Sequence, residues 1–360
     1  MNLNNKQLVS SKGLIGIGKQ IAHLTSLLSL DSQDVHIVGI WGMGGIGKTT
    51  LAEEVFHQLQ TEYEGCCFLE NIREESAKHG MLFLKEKLFS ALLDEDVKVD
   101  SANRLPHYVK TRICRMKALI VLDDVNDFDQ MEVLVGDHDW FGRGSRIIIT
   151  TRDKQVLSKD VDDIYEVGAL DYDKSLELFN LNAFKGKELE IEYYELTKRV
   201  VNYAKGIPLV LKVLAHLLCE KDKLVWESQL DKLIKMPSKK VQDVMRLSYD
   251  DLDRKEQNIF LDLACFFNGS NLEVDYIQIL LKDSESDNSV ASGLERLKDK
   301  GLISFSKDNV ISMHDIIQEM GREIVRQESN GDPGSCSRLW DDDVYEVFKN
   351  DTVKAFGSTI

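Results

Sequence analysis

The chain has 360 residues, 43% of them hydrophobic, and its 45 basic against 61 acidic side chains leave a net charge of −16. That length exceeds what one core accommodates and the apolar content excludes global disorder, so two or three folded domains are expected. The acidity disfavours nucleic acid and anionic membranes as partners, and no apolar run approaches the roughly 18 residues of a membrane span. The start, MNLNNKQLVSSKG, has no basic segment leading into an apolar stretch. Six cysteines form no CxxC pair and mostly sit in apolar runs. Buried thiols of that kind fit a reducing compartment, so a cytoplasmic or nucleocytoplasmic location is expected.

In chain order, the run VHIVGI at 35–40 reads as a strand, ends in a glycine cluster and leads into residues 48–60, whose apolar positions recur at helical spacing. Short apolar runs follow at 66–69, 118–122, 146–150 and 164–167, separated by helical patterns such as 81–93 and 105–115. Strands alternating with helices predict an α/β domain with a parallel sheet. Amphipathic segments then take over at 174–184, 192–204, 209–219 and 226–234, predicting a small helical domain. Met236-Pro237-Ser238 reads as a linker, because proline disfavours helix before it and serine caps helix after it. Beyond it come helical patterns at 241–249, 254–267, 274–281 and 290–300, short strands at 302–305 and 310–312 around a turn, and a helix from 315 to 327. This order resembles a winged helix. The polar stretch after Glu328 predicts a loosely held tail. The expected organisation is a linker at 1–14, a P-loop nucleotide-binding domain at 15–168, a helical domain at 169–236, a winged-helix domain at 237–328 and the tail at 329–360.

Three segments carry chemistry. Gly42-Met-Gly-Gly-Ile-Gly47-Lys48-Thr49 fits GxxxxGK[ST] between a predicted strand and a predicted helix. The glycines Gly42, Gly44, Gly45 and Gly47 let backbone N–H groups curl around phosphate oxygens. Lys48 reaches the β and γ phosphates, and the Thr49 hydroxyl ligates Mg²⁺. Next, ALIVLDD at 118–124 is an apolar strand ending in Asp123 and Asp124. In phosphate-loop proteins one acid here holds Mg²⁺ and a second orients or deprotonates water; the alternative is a strand ending in a helix-capping Asp. Last, IIITTRD at 147–153 presents Arg152, which either stabilises a γ-phosphate or pairs with Asp153.

These elements, followed in order by Gly206-Ile-Pro208-Leu209, Phe260-Leu-Asp-Leu-Ala-Cys-Phe-Phe267 and Met313-His314-Asp315, give a chain that resembles the NB-ARC module of plant disease-resistance proteins. The subtype resembles the TIR-linked class through FLENIR at 68–73, LDDVN at 122–126 and MHDIIQEMGREIVRQES at 313–329. The resemblance implies an immune switch, closed with ADP and open with ATP, whose weak ATPase acts as a reset. On that mapping Gly42, Gly44, Gly45, Ile46, Gly47, Lys48, Thr49 and Thr50 cradle phosphates. Asp123 organises Mg²⁺ with Thr49, Asp124 sits near the hydrolytic water, and Arg152 senses the γ-phosphate. Pro208 packs on the adenine with the Ile15 segment opposite, and His314 donates to the ADP β-phosphate.

The partners it implies are the nucleotide and, through oligomerisation, the nucleotide-binding module of further copies or other immune receptors. About fourteen residues precede the module and no LxxLxLxxN period follows residue 345. TIR-borne NAD cleavage and leucine-rich effector recognition are therefore not expected of these residues. Two rival readings remain: a catalytic P-loop ATPase or phosphotransferase, and a DNA-binding winged-helix regulator. Against the latter, the helix from Asp315 carries more acid than base.

Overall fold

The computed structural model describes residues 15–99, 101, 104–136, 138–157, 161–185, 191–235, 239–267, 272–282, 289–328 and 336–339. The expected linkers at 1–14 and 236–238 and most of the 329–360 tail lie outside them. Among the described residues no helix is long and apolar enough to cross a membrane. The chain divides into two units, Met1–Glu220 and Lys221–Ile360.

The first unit opens with α1 (Gly18–Leu27), β1 (His36–Trp41), α2 (Lys48–Leu59), β2 (Gly65–Leu69), α3 (Ile72–His79), α4 (Met81–Leu93) and α5 (His107–Ile113). It continues with β3 (Ala118–Val125), α6 (Phe128–Val135), β4 (Arg146–Thr151) and β5 (Asp163–Glu166), and closes with α7 (Tyr172–Ala183), α8 (Tyr194–Ala204) and α9 (Pro208–Leu218). The strands form one parallel five-stranded sheet in the order β2-β3-β4-β1-β5. Side chains alternate across a strand, and the two faces sort cleanly. Ile37, Ile120, Leu122, Ile147 and Ile149 pack with Leu84, Leu88 and Phe89 of α4. Val38, Ile40, Leu119, Val121 and Ile148 pack with Leu24 of α1 and Leu51 and Val55 of α2. Burial on both faces is why these strands read as continuous apolar runs.

Strand order matters for function, because β4 lies between β1 and β3 and the carboxyl ends of all three come to one edge. Open α/β sheets bind ligands at such an edge. The segment leading into β1 is held by the fully buried Arg146, whose guanidinium donates to the carbonyls of Leu28, Ser29, Ser32, Asp34 and Ser145. Five carbonyl acceptors satisfy a cation that burial alone would penalise.

The second unit contains α10 (Lys223–Lys235), α11 (Lys239–Asp250), α12 (Arg254–Asp262), α13 (Val274–Leu281), α14 (Ser289–Asp299), the antiparallel pair β6 (Ser304–Phe305) and β7 (Ile311–Ser312), and α15 (Asp315–Glu328). A capping box between Asp253 and Glu256 starts α12. The helix expected to run to 267 changes to a π turn at Leu263–Phe267, and the Ala264 carbonyl accepts a bond from Gln318 Nε2 at 3.0 Å. A Cβ on Gly321 would lie 2.6 Å from the Ala264 Cβ, so a glycine there lets α15 come close to the turn. In the described part of the tail, Arg338 Nε donates to Asp262 Oδ1 at 2.6 Å, which ties this piece to α12.

Candidate functional site

The loop after β1 bends through Gly45 at φ +75 and Gly47 at φ +107, and Gly47 caps α2. Both values fall where a side chain is strained. A Cβ on Gly45 would also sit 2.7 Å from Leu209, whose backbone N–H donates to the Gly45 carbonyl at 3.2 Å. The start of α9 is thus seated on the loop, with Pro208 at the first helical turn where its missing N–H is harmless. Gly206, at φ +82, precedes it and exchanges contact with the start of α7 through the Leu170 N–H bond to its carbonyl at 2.9 Å.

Loop, strand ends and α9 enclose a cavity of about 250 Å³. Its lining includes Gly45, Gly47, Lys48, Thr49, Thr50, Asp123, Asp124, Arg152 and Pro208 of the expected set, and also Asn71, Thr150, Leu209 and Lys212. Lys48 is 7% exposed and its Nζ donates to the carbonyls of Gly42 at 2.7 Å and Met43 at 3.0 Å. Burial first, and then the Arg152 guanidinium, push its ammonium from 10.5 down to about 7. An arriving anion would reverse that cost by supplying opposite charge.

At the end of β3 the two aspartates part ways. Asp123, 2% exposed, accepts at Oδ1 from the hydroxyls of Thr49 and Thr150, each at 2.7 Å. Asp124 sits at φ +56 in an irregularity of the β3–β4 pairing between Leu122 and Val125. Its backbone N–H donates to Thr150 Oγ1 at 2.9 Å. Its carboxylate receives Arg152 Nε at 3.2 Å and Arg73 Nη2 at 2.9 Å. Arg152 therefore meets Asp124, while Asp153 turns to a local task, accepting from Gln155 N at 3.1 Å at the start of a short 3-10 turn. Burial, then the carboxylates of Asp123 and Glu70, push Glu53 above the usual carboxylate range.

Other expected residues lie elsewhere. The Ile46 side chain is buried in the core beneath α2, so toward the cavity that position offers only its backbone. Gly42 supplies a carbonyl to Lys48, Gly44 belongs to the same loop, and Ile15 heads the partly buried segment whose Gly16 abuts Leu170 and Lys174 of the α7 start. His314 is in the second unit. There its Nδ1 accepts from Ile316 N at 3.2 Å and its carbonyl receives the N–H groups of Ile317 and Gln318, so His314 caps α15.

Sequence reasoning passed over Arg73 and Lys212. Lys212 had a usable signal, since four residues after Pro208 it shares the face of α9 that carries Pro208.

The family model for the NB-ARC domain matches residues 4–189, more than half of the chain. A second, described as a Roq1-like disease resistance winged-helix domain, matches residues 253–329. Disease resistance protein RPV1 of Vitis rotundifolia is 43% identical over 342 residues, 94% of this chain and 24% of that protein. TMV resistance protein N of Nicotiana glutinosa is 42% identical over 350 residues, 95% of this chain and 30% of that protein. The chain thus spans under a third of the length of these curated relatives. Among solved structures, a Walker-type ATPase of Pyrococcus abyssi superposes with a TM-score of 0.61 at 13% identity, covering 87% of this chain and 97% of that one, a likeness of fold. A P-loop fold within this family implies nucleotide binding. With the NB-ARC model matched over more than half of its length and the winged-helix model following it, the chain belongs to the NB-ARC family.

Proposed function

We propose that the chain is the nucleotide switch of a plant intracellular immune receptor, closed with ADP, open with ATP, and reset by slow hydrolysis. The observation that carries the reading is one cavity that gathers the glycine loop, Lys48, the Thr49–Asp123 pair, the Asp124–Arg152 pair and the start of α9. The names of the relatives support the immune role.

In this reading Lys48 exchanges its loop carbonyls for phosphate oxygens, and the N–H groups from Gly45 to Thr50 complete the anion cradle at the start of α2. Thr49 and Asp123 are hard oxygen donors of the kind Mg²⁺ takes. Those two residues would hold it, and when bound it neutralises charge on the β and γ phosphates. Arg152 pairs with the γ-phosphate and Asp124 orients water. Pro208 covers the adenine with the Ile15 segment opposite.

His314 serves as a donor to the ADP β-phosphate. Because Nδ1 accepts the Ile316 N–H, the neutral ring carries its proton on Nε2, the kind of donor a phosphate needs. Assembly through the nucleotide-binding module, or with other immune receptors, is the expected output of the open state.

Calorimetry with ADP tests the site. Lys48→Ala removes a charge-assisted contact and should weaken binding by about ten- to a hundredfold. Equal affinity in parent and variant would contradict the loop assignment.

A further inference from the structure

The two arginines that grip Asp124 stand in different places. Arg152 follows β4 and lines the cavity, whereas Arg73, in the first turn of α3, reaches Asp124 without lining it. Both ion pairs are well covered, with Arg73 21%, Arg152 18% and Asp124 18% exposed. Asp124 also has a left-handed backbone, which Asp tolerates better than most residues and which its surroundings here determine. Arg73 Nη2 on Oδ2, Arg152 Nε on Oδ1 and Thr150 Oγ1 on the backbone N–H supply that determination.

A γ-phosphate entering beyond Lys48 changes this balance. Its double negative charge draws the cavity-lining Arg152 away from a single carboxylate. Arg73, outside the lining, stays where it is. Resting on the nucleotide reading above, we infer that Arg73 is a positioning residue for hydrolysis: it keeps the Asp124 carboxylate aimed at water once Arg152 has turned to the γ-phosphate. In that step the water oxygen bonds to the γ-phosphorus, the bridging P–O bond to ADP breaks, and Asp124 accepts a water proton that leaves with the phosphate. With Arg152 withdrawn, Oδ1 is open to the water while Oδ2 remains tied to α3. The FLENIR segment then acts as the fixed support of a catalytic carboxylate.

The role predicts a split between rate and affinity. In single-turnover hydrolysis at saturating MgATP, Arg73→Ala should lower the rate by about ten- to a hundredfold, while ADP affinity by calorimetry stays within about twofold. Arg73→Lys should recover part of the rate, because a point charge can still reach Oδ2 without the fork geometry. On an Asp124→Asn background Arg73→Ala should cost almost nothing further, since residues acting through one group are non-additive. An unchanged rate, losses that multiply with Asp124→Asn, or ADP affinity falling in step with rate in both Arg73 variants would overturn the inference. A parent protein whose ADP binding is indifferent to Lys48→Ala would overturn the nucleotide reading and this inference with it. Lys48-dependent binding with an Arg73-insensitive rate would overturn this inference alone.

Discussion

Asp123 and Asp124 are neighbours in sequence with opposite surroundings: one is buried under two hydroxyls, the other left-handed in backbone, partly open and gripped by two guanidiniums. Asp123 is therefore suited to organising the cation side of a bound nucleotide and Asp124 to handling water. Asp124→Asn keeps the shape and tolerates the left-handed backbone, yet removes the charge. It should leave ADP affinity within a few-fold and lower single-turnover hydrolysis by about a hundredfold; normal hydrolysis would reduce Asp124 to a strand-end residue. Most of this site was legible from residues alone, because a glycine loop at a strand-to-helix junction and acids closing an apolar strand carry their chemistry in local order. Arg73 was not. It lies in a helix with only Ile72 buried, and its meaning depends on Asp124, a partner at the end of β3 that no local spacing announces.

The elements divide the same way. Strands buried on both faces, the thirteen-residue α4 and the strongly apolar, eight-residue α13 were readable from periodicity, with bounds at 81–93 and 274–281. α3 and α6 were not, since over the same eight residues, little more than two turns, their charged and polar positions leave a weaker apolar pattern. Nor does a parallel alternation say that β4 lies between β1 and β3, the fact that brings Thr150 and Arg152 between loop and acids. The π turn at Leu263–Phe267 was invisible because its residues are as apolar as the helix they continue.

One element carries a pH-dependent cost. Lys85 of α4 is buried with its Nζ 4.7 Å from the centre of the Trp140 ring, and burial lowers its ammonium from 10.5 to about 8. Between about 8 and 10.5 the unfolded chain holds more protons than the folded one, so parent stability rises with pH across that window. Lys85→Met keeps the stem and the aromatic contact without the charge. It should stabilise by about 1 kcal/mol at pH 7, or about 2–4 °C in Tm, with the advantage shrinking as pH passes 8 toward 10. Thermal melts at pH 7 and pH 9.5 decide this; an equal difference at both pH values would contradict it.

At the scale of the whole molecule, the proposed latch would make the second unit respond to what the first one binds. His314 is the residue proposed to do so, and its cap on α15 gives a way to separate two roles. His314→Ala loses both the cap, worth about 1 kcal/mol, and the ring donor. His314→Asn keeps an acceptor for the Ile316 N–H, but its shorter amide places no donor where Nε2 stood. If the ring latches onto ADP, both variants should release fluorescent ADP about five- to thirtyfold faster in stopped flow. A parent-like off-rate in His314→Asn would confine the histidine to capping. On α15 itself, Arg322 and Arg326 lie 3.6 and 3.7 Å from Glu319 and Glu323 of their own helix.

In the proposed switch this fold holds a nucleotide through its glycine loop and keeps it in the resting state. Denaturing the purified protein and identifying what it releases by chromatography tests that claim most directly. Near-stoichiometric ADP from the parent and little or none from Lys48→Ala is the predicted result. A folded parent that carries no adenine nucleotide and takes up none from solution, or a Lys48→Ala variant that carries as much as the parent, would contradict it.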